Sequence, residues 1–322
     1  MRKTIVFAAT CLLAFGALAA CAAQADKDAP STTAATTAAA TTTRAASAQA
    51  EQNEPVSSFD ASGDISVVSR EDGSGTRGAF IELFEVEERA EDGSRKDMTT
   101  KEAIIADKTD VMMTNISSNP YAIGYISLGS LSDSVKALQI GGVAATVENI
   151  KNGSYAIQRP FIIATKGDAD GAGVAKDFVD FILSKEGQDV VVDRGCVAID
   201  DNAPAFSGAR PSGRIVVAGS SSVHPVMERL IEAYSALNAG ATIELQMSDS
   251  SAGMTAAMNG TCDIGMASRD LKESELEELS PIVIAIDGIA VIVNNDNPTT
   301  GLSAEQVKGI FTGEITKWEA IN

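Results

Sequence analysis

Three times along this chain, a short run of β-branched and apolar residues ends in a hydroxyl-rich turn that leads directly into a helical pattern. The turns are Ser74–Thr76, Ser220–Ser222 and Ser250–Gly253. Strands that alternate with helices in this way predict an α/β fold with largely parallel sheets. In open α/β sheets ligands bind outside the carboxyl ends of the strands, so the three turns are expected to face one site.

The first of these turns follows a strand pattern and reads Ser69-Arg70-Glu71-Asp72-Gly73-Ser74-Gly75-Thr76. Backbone amides at a glycine-rich turn that opens a helix point the same way and carry the positive end of the helix dipole. Ser74 and Thr76 add hydroxyl donors, and the Arg70 guanidinium can hold two oxygens at once. The turn therefore predicts an oxyanion site, although an ordinary surface turn uses the same residue types. A Walker loop is excluded, because no Gly-Lys-Ser/Thr ending is present.

A fourth strand end carries Ser268-Arg269-Asp270. Several helix N-termini with hydroxyl groups, together with arginine, donate hydrogen bonds from many directions, and a small tetrahedral oxyanion requires that arrangement. Serine is also a common N-cap, so each turn taken alone is more typical of a structural cap than of a site. The coincidence of the four strand ends is what favours a binding site.

The N-terminus has the pattern of an export signal. A basic pair, Arg2-Lys3, precedes an apolar run over 5–17 that is too short to span a bilayer. The run ends in Leu18-Ala19-Ala20-Cys21, which resembles a bacterial lipoprotein cleavage site. We expect residues 1–20 to be a signal peptide and Cys21 to carry the lipid that anchors an extracytoplasmic protein to the cell membrane. An ordinary signal peptide with an unmodified cysteine is the alternative.

Residues 21–58 follow this signal and are rich in alanine, threonine and serine. Such a segment contains too little apolar surface to form a core. We therefore expect a disordered tether between the lipid anchor and the folded part.

The chain is strongly acidic. It carries 44 acidic and 25 basic residues, a net charge of −19, which argues against nucleic-acid binding and against a polybasic membrane patch. An anion can still bind such a protein, because short hydrogen bonds in a dry cleft outweigh a distant, screened field.

The residues of redox, metal and catalytic chemistry are few. Cys196 and Cys262 can form one disulfide or remain two buried thiols, and the sequence leaves both open. No Cys-x-x-Cys pair or histidine cluster indicates a metal, and no cofactor is expected. An enzyme is the rival class of protein. However, His224 is the only histidine and no Gly-x-Ser-x-Gly motif occurs, so we predict no catalytic residue.

Seven segments together carry a more specific signal than any single turn: Arg70–Arg77, Asn119–Tyr125, Val217–Ser222, Ser250–Met254, Asp263–Arg269, Ile286–Val293 and Ile310–Trp318. Through them, everything after the tether resembles the phosphate-binding lipoproteins of bacterial phosphate ABC importers. The resemblance implies a type II periplasmic-binding-protein fold of two lobes, each a mixed sheet flanked by helices. It also implies that inorganic phosphate closes the cleft between the lobes and that a membrane permease is the partner.

The order of the segments differs from that of the family, in which the half with Val217–Ser222 comes first. The simplest interpretation is a circular permutant, which is tolerated when old ends lie close together and the new break falls in an exposed loop. One lobe then comprises 64–158 plus 294–322, and the other comprises 160–290. A dimer that swaps half-domains and a mis-assembled gene are the alternatives. We expect a monomer.

The resemblance also assigns ligand contacts. The residues that match the family's phosphate contacts are Arg70, Ser74, Gly75, Thr76, Ser221, Ser222 and Ser250. The resemblance places the family's proton-accepting carboxylate within Ser268-Arg269-Asp270, so all three residues are assigned to the site. Asp72 is expected to orient Arg70. Sulfate or molybdate binding, and a phosphate sensor uncoupled from transport, are alternative functions.

The coarser pattern predicts further elements. A helix is predicted from Ala79 to about Arg89, and a short helix over Thr99–Ala106. Separate strands are predicted at 281–286 and 289–293. The hinge between the lobes is expected at Phe161–Thr165 and Ile289–Val293.

Overall fold

The computed structural model describes residues 59–90, 95–167 and 173–321. The predicted signal peptide, Cys21 and the tether lie outside these residues. Within the described ranges, no helix has both the length and the apolar character that crossing a membrane requires.

The strands are β1 (Ser66–Arg70), β2 (Glu87–Arg89), β3 (Arg95–Asp97), β4 (Ile104–Ala106), β5 (Ala122–Ser127), β6 (Lys136–Ala137), β7 (Gln139–Ile140), β8 (Gln158–Lys166), β9 (Gly213–Ser220), β10 (Ala241–Ser248), β11 (Ile264–Ala267), β12 (Leu279–Val293) and β13 (Gly301–Leu302). The helices are α1 (Gly75–Leu83), α2 (Thr109–Ser118), α3 (Val147–Lys151), α4 (Val174–Leu183), α5 (Lys185–Asp193), α6 (His224–Leu237), α7 (Ser250–Met258), α8 (Glu273–Leu276) and α9 (Ala304–Thr312).

Most strands join one mixed sheet with the order β10-β9-β11-β8-β12-β5-β1-β4, and β6 also pairs with β12. At one end β9 pairs in parallel with β10 and β11, and at the other β1 pairs in parallel with β4 and β5. The central strands β8 and β12 run antiparallel to their neighbours. The predicted α/β architecture with a mixed sheet and flanking helices is therefore confirmed.

β12 is one strand of 15 residues, so the prediction of two separate strands is wrong. Leu279–Gly288 pairs with β8, whereas Ile289–Val293 pairs with β5. An Asp-Gly pair usually marks a turn. Here the Asp287 side chain is fully buried and hydrogen-bonded to Ser127, and the backbone stays extended. We call β8–β11 with Leu279–Gly288 the β9 half, and β1, β4–β6 with Ile289–Val293 the β5 half.

Each half has its own hydrophobic core. In the β5 half, Phe80 of α1 stacks on Tyr125 of β5 with ring centroids 3.9 Å apart, and Phe311 of α9 packs edge-on against Phe80. In the β9 half, Phe178 and Tyr234 pack between helices α4 and α6. These aromatic contacts hold α1 against β5 and α6 against α4.

The helix predicted from Ala79 to about Arg89 is present but ends earlier than predicted, and the helix predicted over Thr99–Ala106 is wrong. α1 ends at Leu83 because the backbone reverses at Glu85, which has a left-handed φ of 54°. Glu87–Arg89 then pairs with Arg95–Asp97 as a hairpin. The predicted helix over Thr99–Ala106 contains instead β4, whose parallel pairing with β1 uses backbone groups that a helix would consume.

The two ends of the described chain lie side by side. Ile65 N–H donates to Thr316 O over 2.7 Å, and Asp64 pairs with Lys317 across an isolated antiparallel bridge. Trp318, which is buried, donates its indole N–H to Tyr121 O. The segment that leads into β1 is therefore held by the segment that follows α9.

Candidate anion-binding site

Four helices begin where a parallel strand has just ended: α1 after β1, α2 after β4, α6 after β9 and α7 after β10. Their N-terminal turns meet at the boundary between the two halves. The Thr76 hydroxyl lies 2.7 Å from the Ser222 hydroxyl, and Thr109 Oγ1 lies 3.3 Å from Ser221 Oγ. The structure therefore brings the three predicted turns together, and α2 adds a fourth.

Arg70 stands at the centre of this site. Its side chain is almost fully buried, and Nη2 donates to Ser221 Oγ over 3.0 Å. Nε and Nη2 also hold both carboxylate oxygens of Glu71 at 2.8 Å. The third nitrogen, Nη1, is buried and has no acceptor among the described residues. A buried charged donor without an acceptor is costly, so this atom is suited to an anionic ligand.

The β9 half contributes a second set of hydroxyls. Ser220 Oγ donates to Ser268 Oγ over 3.0 Å, and Ser268 N–H donates to Ser250 Oγ over 3.1 Å. Gly75 lies against this set, because a Cβ atom there would come within 2.4 Å of Ser250 Oγ and 2.7 Å of Ser268 Oγ. Only glycine allows the start of α1 to approach so closely.

We call these buried groups the hydroxyl cluster: Arg70, Ser74, Gly75, Thr76, Thr109, Ser220, Ser221, Ser222, Ser250 and Ser268. It combines one guanidinium with hydroxyls that both donate and accept hydrogen bonds. Ser74 completes it as the N-cap of α1, accepting from Arg77 N–H. Such a shell can hold a small tetrahedral oxyanion from several sides without covalent chemistry.

Thr109 and Ser220 were not among the predicted contacts. Thr109 opens α2, a helix that the sequence reading did not find, although Thr109, Met112 and Ile116 are the buried residues of that helix and have amphipathic spacing. Ser220 precedes the two predicted serines in the same turn, and its hydroxyl also accepts from Ser222 N–H.

The carboxylate that holds Arg70 is Glu71 and not Asp72. Asp72 has a side chain that is 97% exposed, and it pairs with Arg77 at 2.8 Å. The expectation that Asp72 orients Arg70 is therefore wrong. Glu71 sits next to Arg70 with 20% of its side chain exposed and can accept both guanidinium hydrogen bonds.

Two of the predicted contacts lie outside the hydroxyl cluster. Arg269 forms a two-pronged ion pair with Glu275, with both N–O distances at 2.8 Å, and donates to Ser251 Oγ. Asp270 is exposed. In this arrangement neither residue supplies the carboxylate that was sought in Ser268-Arg269-Asp270.

A buried ion pair contacts the backbone of the hydroxyl cluster at Ser268. Arg159 Nη2 lies 3.1 Å from Asp287 Oδ2, and Arg159 Nη1 donates to Ser268 O over 3.1 Å. Asp287 Oδ1 accepts from Ser127 Oγ and Gly129 N–H of the β5 half. Burial raises the pKa of Asp287, and the Arg159 charge opposes that rise. Through this pair, the backbone of Ser268 is connected to Ser127 of the β5 half.

The other reactive residues are not part of the site. Cys196 and Cys262 are both buried and free, so the disulfide alternative is not realised. Burial raises the pKa of both thiols. No group of three or more metal-ligating side chains occurs within 59–90, 95–167 and 173–321.

Comparison with known proteins gives the family. A family model described as "PBP superfamily domain" matches residues 14–186 and 204–320. The chain is also 51% identical to phosphate-binding protein PstS 2 of Streptococcus agalactiae serotype V. The alignment extends over 267 residues and covers 83% of this chain and 90% of that protein. The chain belongs to the PstS family.

Two further PstS-type matches agree. Phosphate-binding protein PstS 2 of Streptococcus pneumoniae serotype 4 is 44% identical over 262 residues, which is 81% of this chain and 89% of that protein. The crystal structure of a phosphate-binding protein of a phosphate ABC transporter from S. pneumoniae TIGR4 matches with a TM-score of 0.65 and 42% identity. It covers 81% of this chain and 100% of that chain. These relatives are named as phosphate-binding proteins and not as enzymes, which agrees with the prediction that the chain has no catalytic residue.

Proposed function

We propose that this protein captures inorganic phosphate outside the cytoplasm and delivers it to the permease of a phosphate ABC importer. The observation that carries the proposal is the Arg70 guanidinium, which is buried among hydroxyls with Nη1 lacking an acceptor in the described part of the chain. The names of the relatives support phosphate as the anion.

Phosphate would be held mainly by hydrogen bonds. The Arg70 charge is already balanced by Glu71. Hydroxyls and the amides of four helix N-termini therefore supply most of the interaction, which depends on short distances and little on the protein's net charge. Serine and threonine hydroxyls can also accept the proton of monohydrogen phosphate.

Sulfate is the second candidate ligand, because the hydroxyl cluster has no free carboxylate among the described residues that would exclude it. In the part of the chain that the structure describes, the carboxylate that contacts the cluster is Glu71, and both its oxygens accept from Arg70. A free buried carboxylate would repel an anion that has no proton to donate. Without one, discrimination between phosphate and sulfate depends on the hydroxyls alone.

Ligand binding would close two lobes around the anion. The lobe of 64–158 plus 294–322 contains Arg70, Gly75, Thr76 and Thr109, and the lobe of 160–290 contains the serines of the β9 half. Because each lobe holds part of the shell, phosphate stabilises the closed form. The hinge lies at Gly288–Ile289 of β12 and at Ile157–Gln158. The hinge predicted at Phe161–Thr165 is not part of this proposal, because those residues pair within the β9 half alone.

The circular permutation and the anchor belong to the same proposal. The hydrogen bond between Ile65 and Thr316 supports a permuted chain. In a circular permutant, the segments on either side of the new chain ends were consecutive in the unpermuted protein, so they stay in contact. Both halves of the cluster come from one chain, which supports a monomer and not a swapped dimer. Lipidation of Cys21 and a tether over 21–58 would keep this monomer near its permease.

Isothermal titration of the purified protein with phosphate, sulfate and molybdate tests the proposal. We expect one phosphate per monomer. Tighter binding of sulfate or molybdate would show that this anion, and not phosphate, is the ligand. The absence of binding of all three anions would overturn the proposed function. A stoichiometry seen only in dimers would favour the swapped arrangement.

A further inference from the structure

A cavity adjoins the hydroxyl cluster. It has a volume of about 380 Å³, and Ser221 and Thr109 are part of its lining. The same two residues belong to the cluster, where Ser221 Oγ accepts from Arg70 Nη2. Ser221 therefore lines the cavity and contacts Arg70, and Thr109 lies beside it.

The cavity contains an unpaired cation. Arg194 lines it, and its side chain makes no hydrogen bond or ion pair with any described residue. Its Nε is buried without an acceptor, and so is Ser130 Oγ, which lines the same cavity. Seven other arginines of the described chain are paired with carboxylates: Arg70, Arg77, Arg95, Arg159, Arg214, Arg229 and Arg269.

We propose that Arg194 and Ser130 form an outer oxyanion position, at which inorganic phosphate is captured before it passes Ser221 and Thr109 into the hydroxyl cluster. This inference rests on the proposed function. It adds a site that the family resemblance did not assign. Arg194 and Ser130 both line this cavity beside the cluster, and each has a buried donor without an acceptor; these are the observations that carry the inference.

A cation at this position reduces the electrostatic repulsion of the incoming phosphate. A chain with a net charge of −19 repels a phosphate dianion as it approaches. Asp110 and Glu228 also line the cavity and make its mouth more acidic. The Arg194 charge reduces, but does not cancel, the negative potential of these two carboxylates at the place where the anion enters. A local cation of this kind acts mainly on the association rate.

Association and dissociation rates of phosphate test the inference on the full-length protein. Stopped-flow competition with a fluorescent reporter of free phosphate gives both rates for wild type and Arg194→Gln. We expect the association rate to fall about tenfold, the lower end of electrostatic steering effects, with the dissociation rate changed less than about twofold. The loss should shrink at high salt, because screening removes the contribution of the charge.

Arg210→Gln is the matched control. Arg210 is exposed, makes no side-chain bond within the described chain, and precedes β9 at the end opposite to Ser220. Its removal changes the net charge by the same amount, so an association rate equal to that of wild type supports a local role for Arg194. Ser130→Ala, which leaves every charge in place, should slow association about twofold.

Three outcomes would overturn the inference. They are a wild-type association rate in Arg194→Gln, equal slowing in Arg210→Gln, and an effect of Arg194→Gln confined to the dissociation rate. Each of these requires that wild type binds phosphate. If wild type does not bind phosphate, the proposed function fails, and this inference fails with it.

Discussion

Thr76 and Ser222 are 146 residues apart in the chain, and their hydroxyl oxygens are 2.7 Å apart in the structure. Thr76 belongs to the β5 half and Ser222 to the turn that follows β9, and both side chains are buried. The bond therefore joins the two halves at the point where their helix N-termini meet. The hydroxyl cluster exists only when both halves are folded and in contact.

Replacement of Arg70 should remove most of the phosphate affinity. We expect Arg70→Ala to weaken binding by roughly 10- to 100-fold, because a hydrogen bond from a charged donor contributes roughly 1.5–3 kcal/mol and 1.4 kcal/mol is tenfold. Titration calorimetry measures the change, and circular dichroism checks that the variant is folded. Arg214→Ala is the control, since Arg214 pairs with Glu244 on the surface. Unchanged affinity in a folded Arg70→Ala protein would contradict the assignment.

Two glycines of α1 offer a matched pair of substitutions. The Cβ of Gly75→Ala would lie 2.4 Å from Ser250 Oγ, whereas at Gly78 the nearest atom is Arg269 Cδ at 4.0 Å. We expect Gly75→Ala to weaken phosphate binding at least tenfold by separating the halves. Gly78→Ala should leave binding intact and stabilise the helix by about 0.5–1 kcal/mol. Calorimetry and thermal melting of both variants check this, and equal affinities would count against a close contact at Gly75.

Thr109 is predicted to contact the ligand although no motif indicated it. Thr109→Val keeps the shape of the side chain and removes the hydroxyl that lies 3.3 Å from Ser221 Oγ. The loss of a neutral hydrogen bond is worth about 0.5–1.5 kcal/mol, so the Kd for phosphate should rise roughly three- to tenfold. Thr114→Val, on the exposed face of the same helix, should leave the Kd unchanged. An equal effect of both substitutions would assign the change to α2 stability.

The Glu275–Arg269 pair should stabilise the fold in a pH-dependent way. Burial acts to raise the pKa of Glu275, but hydrogen bonds from Arg269 and from Lys272 N–H outweigh it and hold the pKa below the ordinary value of 4.5. The ionised carboxylate therefore stabilises the folded state above about pH 4.5, and this contribution is lost as the pH falls through the lowered pKa.

Glu275→Gln tests this by urea unfolding at several pH values. The variant should be less stable than wild type by about 1–3 kcal/mol at neutral pH, and the difference should shrink in acid. Glu232→Gln, which removes an exposed partner of Arg229, should show neither effect. Phosphate affinity should stay unchanged in Glu275→Gln, because Arg269 lies outside the hydroxyl cluster. A difference in stability that is constant with pH would be inconsistent with the pair.

The βα units were readable from the sequence because their determinants are local. One such unit lies within about 20 residues. It consists of the apolar run Ile215–Ala218, the turn Ser220–Ser222 and the amphipathic stretch that follows. The structure has β9 and α6 at these positions. The sequence pattern predicts helix at 87–89 and 104–106, where the structure has strands. The strand at 87–89 is formed by a hairpin with 95–97, and the strand at 104–106 by pairing with the distant β1. Tertiary contacts outweigh local propensity in such short segments.

The sequence by itself determined the fold class, the family and most of the residues that line the site, since hydroxyl-rich turns after strands are a local signal. Only the tertiary structure decided which carboxylate holds Arg70, where Arg269 points, and that Thr109 joins the hydroxyl cluster. Each of these depends on the distance between side chains on different elements. Such distances are fixed by how the two halves pack across β12, and no spacing along the chain records them.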